Sequence, residues 1–235
     1  MDELVQRWTA QLLDSGSALT LLLGLVALGL ISNHGTWRLL RNVVTIAHEG
    51  GHAVVALLSG RTLNGIRLHS DTSGLTLSTG RPSGPGMVFT LFAGYPAVSL
   101  LGLGGAAMVG FDLARQALWV AIGLLVIMLL AIRNAYGVLS VVLTGGALFA
   151  VSWFAAPAWQ AVCCVLVSWF LLLGGLRPIA ELRGKRNRGR APSSDADQLA
   201  RLTRVPAGAW LGVWFLIGIA ALVIGGRWLL LIPQL

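Results

Sequence analysis

The chain has 235 residues, of which 56% are hydrophobic and 11% charged, and its mean hydropathy is +0.78. A water-soluble domain carries about a quarter charged residues, so this composition excludes one and makes lipid the solvent for most of the surface. The formal charge of +8 does not indicate nucleic-acid binding, because Lys and Arg in a membrane chain act first as topology determinants that resist translocation.

In chain order, residues 1–15 form an amino-terminal segment with three acids and a single Arg7, unlike the basic start of a cleavable signal. Residues 16–60 hold two apolar spans, 16–32 and 38–60, the second containing His48-Glu49-Gly50-Gly51-His52. Residues 61–85 alternate as Ile66-Arg67-Leu68 and Leu75-Thr76-Leu77-Ser78 around Asp71-Thr72-Ser73-Gly74, a β-hairpin pattern with turn chemistry at its centre. Residues 86–181 hold four more spans, 86–110, 115–132, 135–155 and 158–176. The one at 115–132 is short enough to tilt or re-enter.

A polar loop follows at 182–206. It opens with Arg183, Lys185, Arg186, Arg188 and Arg190, a run that meets anionic lipid before any nucleic acid. It continues as Ser193-Ser194-Asp195-Ala196-Asp197-Gln198-Leu199, a helix start with Ser194 and Asp197 at capping-box spacing. The segment 207–235 carries a last span at 207–231. The fold class expected is therefore an all-α polytopic membrane protein of about seven transmembrane helices with one small β-hairpin. Cys163 and Cys164 are adjacent in an apolar run, which suits packing and not a disulfide.

With the basic loop inside, thirteen basic residues face the cytoplasm and four, Arg38, Arg41, Arg115 and Arg227, face outward. This puts the N-terminus in the cytoplasm and the C-terminus outside, with Arg38 and Arg41 as exceptions to the bias.

The second span carries the chemistry. Residues four apart on a helix share a face, so His48 and His52 can ligate one Zn²⁺ while Glu49 contacts a metal-bound water and acts as its base. An ionisable group in a span costs roughly 2.5–3.5 kcal/mol, which argues against keeping three for packing alone. Gly50 and Gly51 weaken a helix, and in lipid they leave room for a substrate or a neighbouring helix. A third ligand, a carboxylate from elsewhere, is needed to complete the site.

HEGGH in an early span, followed by a Gly-rich hairpin, resembles the site-2 protease family of intramembrane zinc metalloproteases, in its compact bacterial branch without a PDZ domain. The resemblance implies that His48 and His52 bind zinc, that Glu49 is the catalytic acid/base, and that an unwound substrate pairs with the hairpin as an added strand. It also implies that the third ligand is an acid from a later segment. The family's Leu-Asp-Gly version is absent, and Ser-Asp-Ala-Asp-Gln-Leu-Ala points to Asp195, with Asp197 and then Asp112 as alternatives. One or both of Asp195 and Asp197 could instead cap a helix. A bacterial plasma membrane and a membrane-protein substrate follow from the same resemblance.

Other positions carry less. Tyr95, in Ala93-Gly94-Tyr95-Pro96, stands where the family has a Gly-Pro and a nearby Asn; that Asn is missing, so a Pro-kinked packing site is the reading. Asn134 reads as an interfacial polar residue, and His34 and His69 as solvated. Tryptophans such as Trp153 and Trp228 suit interfacial belts. Two other functions compete with proteolysis: a non-proteolytic protein with a structural or regulatory metal, for which a base at Glu49 is unnecessary, and a metal transporter, which would line several spans with ionisable groups.

Overall fold

The computed structural model describes residues 15–189 and 193–231; residues 1–14, 190–192 and 232–235, which include Arg7 and Arg190, lie outside the description. Along the chain come α1 (Ser15–Ser32), α2 (His34–Leu58), β1 (Thr62–Leu68), β2 (Gly74–Thr79), α3 (Pro85–Gly110), α4 (Ala114–Ala131), α5 (Ala135–Phe154), α6 (Pro157–Gly174), α7 (Leu176–Asn187), α8 (Asp195–Thr203) and α9 (Ala207–Leu231). The protein is thus a helical membrane protein with one two-stranded antiparallel sheet. Helices α3, α4, α5 and α9, and α6 with α7 as one stretch, are each long and apolar enough to cross a bilayer.

The first two expected spans behave differently. Helices α1 and α2 meet at 101° and are long and apolar enough only as a pair, a broken span or a re-entrant loop. Asn33 makes the break: its backbone is extended, and its side chain accepts hydrogen bonds from the amides of Gly35 (2.9 Å) and Thr36 (3.1 Å). Those are orphan donors at the start of α2. The Thr36 hydroxyl in turn donates to the Leu30 carbonyl at 2.6 Å, satisfying an orphan acceptor at the end of α1. Counted as one crossing, the pair makes the total six, where about seven were expected. The bend also brings Arg38 and Arg41 into one cleft with Lys185 and Arg188 of the basic run.

Two opposite ends of the bundle are marked by long-range contacts. At one, the Ser17 hydroxyl of α1 donates to the Leu230 carbonyl of α9 at 2.9 Å. At the other lie the hairpin, the α4–α5 connection and α8. Small residues let the helices approach between these ends: a side chain at Gly24 or Gly226 would meet the Trp169 indole at 3.2 or 3.1 Å.

Two apolar clusters place the polar elements. Ile46 and Ala53 of α2 pack with Ile66 and Leu68 of β1 and with Met128 and Ile132, fixing the hairpin against α2 and α4. Leu91, Ile179, Leu182, Leu211 and Trp214 bury Ala196 and Leu199, fixing α8 against α3, α7 and α9. In the hairpin, Ile66 pairs with Thr76, Arg67 with Leu75 and Leu68 with Gly74. The outer edge of β1 is closed: the Arg133 amide donates to the Ile66 carbonyl at 2.9 Å, and the Asn134 side chain brackets Leu68 through its amide (3.2 Å) and carbonyl (2.7 Å). Among the described residues β2 has no strand partner besides β1.

Candidate metal centre

His48, Glu49 and His52 lie midway along α2, where the helix crosses α3. The crossing is close because small residues face each other. A side chain at Gly51 would meet the Ala93 carbonyl at 2.9 Å, and one at Gly94 would meet ring carbons of His48 and His52 at 2.6 and 2.7 Å. Gly50 differs, having open space beside it. Of the two glycines in the motif, one seats a helix and the other leaves room.

The Nε2 atoms of His48 and His52 are 3.0 Å apart. Asp195 Oδ2 approaches them at 3.3 and 3.4 Å. Asp195 is the first residue of α8, and the buried pair Ala196 and Leu199 aims it at α2. On the other side of its ring, His52 Nδ1 lies 2.7 Å from the Thr90 carbonyl of α3. A carbonyl can only accept, so Nδ1 carries a proton, and in the neutral ring Nε2 then turns a lone pair toward Asp195. Two imidazole nitrogens and a carboxylate oxygen thus face one another. One proton can bridge two of these atoms; a cation satisfies all three. Metal–ligand bonds of about 2.0–2.2 Å at tetrahedral angles put neighbouring ligands about 3.3–3.6 Å apart, close to the spacing here. His48, His52 and Asp195 could therefore hold a metal ion.

Glu49, next to His48 in the chain, meets the hairpin. Its residue is only 4% exposed, and its Oε2 accepts a 2.6 Å hydrogen bond from the Thr76 hydroxyl of β2. Two residues back along β2, a side chain at Gly74 would meet the Glu49 carboxyl carbon at 2.6 Å. Successive inward positions of a strand are two apart, so a missing side chain and a hydroxyl together make the socket for this carboxylate. The Thr45 hydroxyl, one turn earlier on α2, holds the hairpin tip through the Thr72 carbonyl at 2.9 Å.

The other sequence candidates fall elsewhere. Asp197 pairs with Arg186, and its backbone amide is capped by the Ser194 hydroxyl at 3.3 Å. Burial would raise its carboxyl, yet Arg186 and Ser194 more than offset this and hold it below the usual range. Asp112 follows the far end of α3, which extends sixteen residues, roughly 24 Å, beyond Gly94. Tyr95 packs its ring against the edge of His48 (centroids 4.6 Å apart) and stacks on Trp214 (4.4 Å). Asn134 belongs to the β1 edge. His34 and His69 are exposed. Sequence reasoning passed over Gly74, Thr76, Thr90 and Gly94. The alternation of the hairpin placed Gly74 and Thr76 on one face, a usable signal, whereas nothing in the sequence singles out Thr90.

No curated protein and no solved structure matches the chain. The model of one family, described as Peptidase M50B-like, matches residues 21–225, nearly the whole length and both segments that meet at the trio. By that match the chain belongs to the Peptidase M50B-like family, that of the site-2 proteases.

Proposed function

We propose that this protein is a zinc-dependent intramembrane endopeptidase that cuts peptide bonds in or beside transmembrane segments of other membrane proteins. The observation that carries the reading is the meeting of His48, His52 and Asp195 around one point, with Glu49 between the two histidines on the same helix. Family membership supports peptidase chemistry, and the apolar helices support a site within the bilayer.

In this reading His48, His52 and Asp195 hold the metal. Bound zinc supplies Lewis acidity and brings the pKa of water toward neutrality. Glu49 takes the proton from the attacking water and returns it to the departing amine, as a general base and then a general acid. Thr76 occupies Oε2 of Glu49, which leaves Oε1 for that proton. Thr90 fixes the ring of His52 and its tautomer.

Helical amides are already hydrogen-bonded, so a transmembrane substrate must unwind before it is cut. The edge of β2 not paired with β1 offers main-chain partners to an extended segment and lies beside Glu49. Glu49→Gln is expected to keep stoichiometric zinc while abolishing cleavage. The measurement compares metal content and membrane proteomes for the wild type and the variant, looking for a partner left uncut. Processing that continues unchanged in Glu49→Gln would refute proteolysis through this site.

A further inference from the structure

A cavity of about 890 Å³ opens at the amino end of α2, walled by α2, α7 and the hairpin tip. Its ionisable lining is unbalanced: apart from His34, the cations Arg38, Arg41, Arg177, Lys185 and Arg188 stand against Asp71 and Glu181. Glu181 already serves Arg41 at 3.1 Å and Arg177 at 3.0 Å. The Asp71 carboxylate is taken up by Ser73, accepting from its amide at 3.0 Å and its hydroxyl at 2.6 Å. Among the described residues Arg38, Lys185 and Arg188 make no ion pair. The cleft has cationic capacity to spare.

The cleft also continues the metal centre. Arg41, Thr45, His48 and His52 follow one another at helical spacing along the same side of α2. Thr45 binds Thr72, which lines the cleft, and from there β2 runs over Glu49. A strand laid along the outer edge of β2 and extended past the hairpin tip enters the cavity. Arg41 lies seven residues before His48 and Arg38 ten, roughly 10 and 15 Å along the helix. An extended chain covers about 3.3–3.6 Å per residue, so these distances correspond to about three to five residues.

From these relations we infer that the basic cleft is a substrate subsite that takes Asp or Glu three to five residues to one side of the bond that is cut. The inference rests on the proteolytic reading above and adds a substrate class to it: segments whose unwound stretch ends in acidic residues. The other anion at hand in a membrane is a lipid headgroup. The peptide is favoured because the hairpin tip forms both the wall of the cleft and the end of the candidate docking edge, so one chain can occupy both.

The test uses the full-length protein in phosphatidylcholine nanodiscs. In the Glu49→Gln background, a labelled nine-residue Val/Thr-rich peptide with two Asp at one end, and a twin with them at the other, are compared with Asn isosteres. One of the Asp peptides is expected to bind at least tenfold tighter than its isostere. That difference should vanish in the combined variant Arg38→Gln, Lys185→Gln, Arg188→Gln. Equal binding of acid and amide peptides overturns the inference, as does a preference that survives the triple variant. So does charge-dependent retention of phosphatidylglycerol, read by native mass spectrometry, by a protein that shows no peptide preference, since the cleft would then be a lipid site. The proteolytic reading is judged separately, by whether wild-type protein cuts a peptide library at bonds that Glu49→Gln leaves intact.

Discussion

Two carboxylates in this protein are each shared between two basic side chains, and they teach opposite lessons. Glu181 accepts from Arg41, Arg177 and the Trp37 indole at 3.0–3.1 Å, and Arg177 stacks over the same indole at 4.6 Å. Every contact there is a donor meeting an acceptor, and the cluster is complete as it stands. Asp195 sits between two imidazoles at 3.3 and 3.4 Å, but Thr90 holds a proton on the far nitrogen of His52, so that in the neutral ring a lone pair faces the carboxylate. Acceptor faces acceptor. The first arrangement is an ion-pair network; the second is one that a cation completes. Their composition is nearly the same, and the hydrogen bond on the far side of one ring separates them.

The largest expected effect tests that contrast. Asp195→Ala removes one of the three proposed ligands and is expected to lose stoichiometric zinc and at least about a hundredfold in cleavage, as the loss of a metal ligand does at least as much harm as the loss of its supporting bonds. Asp197→Ala, two residues on, removes a cap and a partner of Arg186, at a cost of about 1 kcal/mol in stability with zinc retained. Metal analysis of both purified variants reads the difference. Equal zinc in Asp195→Ala and wild type would remove Asp195 from the site.

That distinction also marks how far the sequence could be read. HExxH and the capping-box spacing of Ser194 and Asp197 gave the motif helix and the position of α8, because both depend on neighbours within four residues. Hydropathy gave the apolar stretches, because length against bilayer thickness is a local property. Helix breakage at Asn33 was written locally too, as a capping residue ahead of His34-Gly35-Thr36, but it lay between two runs each long enough to count as a span. What was not legible required packing. Ala196 and Leu199 decide which aspartate turns inward, Gly94 decides how closely α3 approaches the histidines, and the bend at Asn33 lets Arg38 and Arg41 share a cleft with Lys185 and Arg188.

The second effect bears on Glu49, which the contrast leaves aside because it joins neither cluster. Thr76→Val keeps the shape of the side chain and deletes the hydroxyl on Glu49 Oε2. It is expected to lower kcat about tenfold, in line with one hydrogen bond to a charged group at about 1.5–3 kcal/mol, while zinc content and KM stay near wild type. Thr76→Ser, which restores the hydroxyl, should recover most of the rate. If Thr76→Val keeps the wild-type rate while Thr76→Ser loses it, the methyl packing of Thr76 matters and its hydrogen bond to the carboxylate does not.

The smallest effect comes from the completed cluster. Glu181→Gln preserves an acceptor for the Trp37 indole but removes the negative charge between Arg41 and Arg177. Since these side chains are about a quarter exposed, solvent screens part of the loss, and a destabilisation of about 1–2 kcal/mol is expected, with zinc unchanged. The same change frees two guanidiniums in a cleft already rich in cations, so binding of the Asp-ended peptide should strengthen as the fold weakens. Thermal unfolding and peptide binding measured on one preparation would show the two moving in opposite directions. A variant that loses stability and peptide binding together would mean that Glu181 builds the cleft and does not restrain its charge.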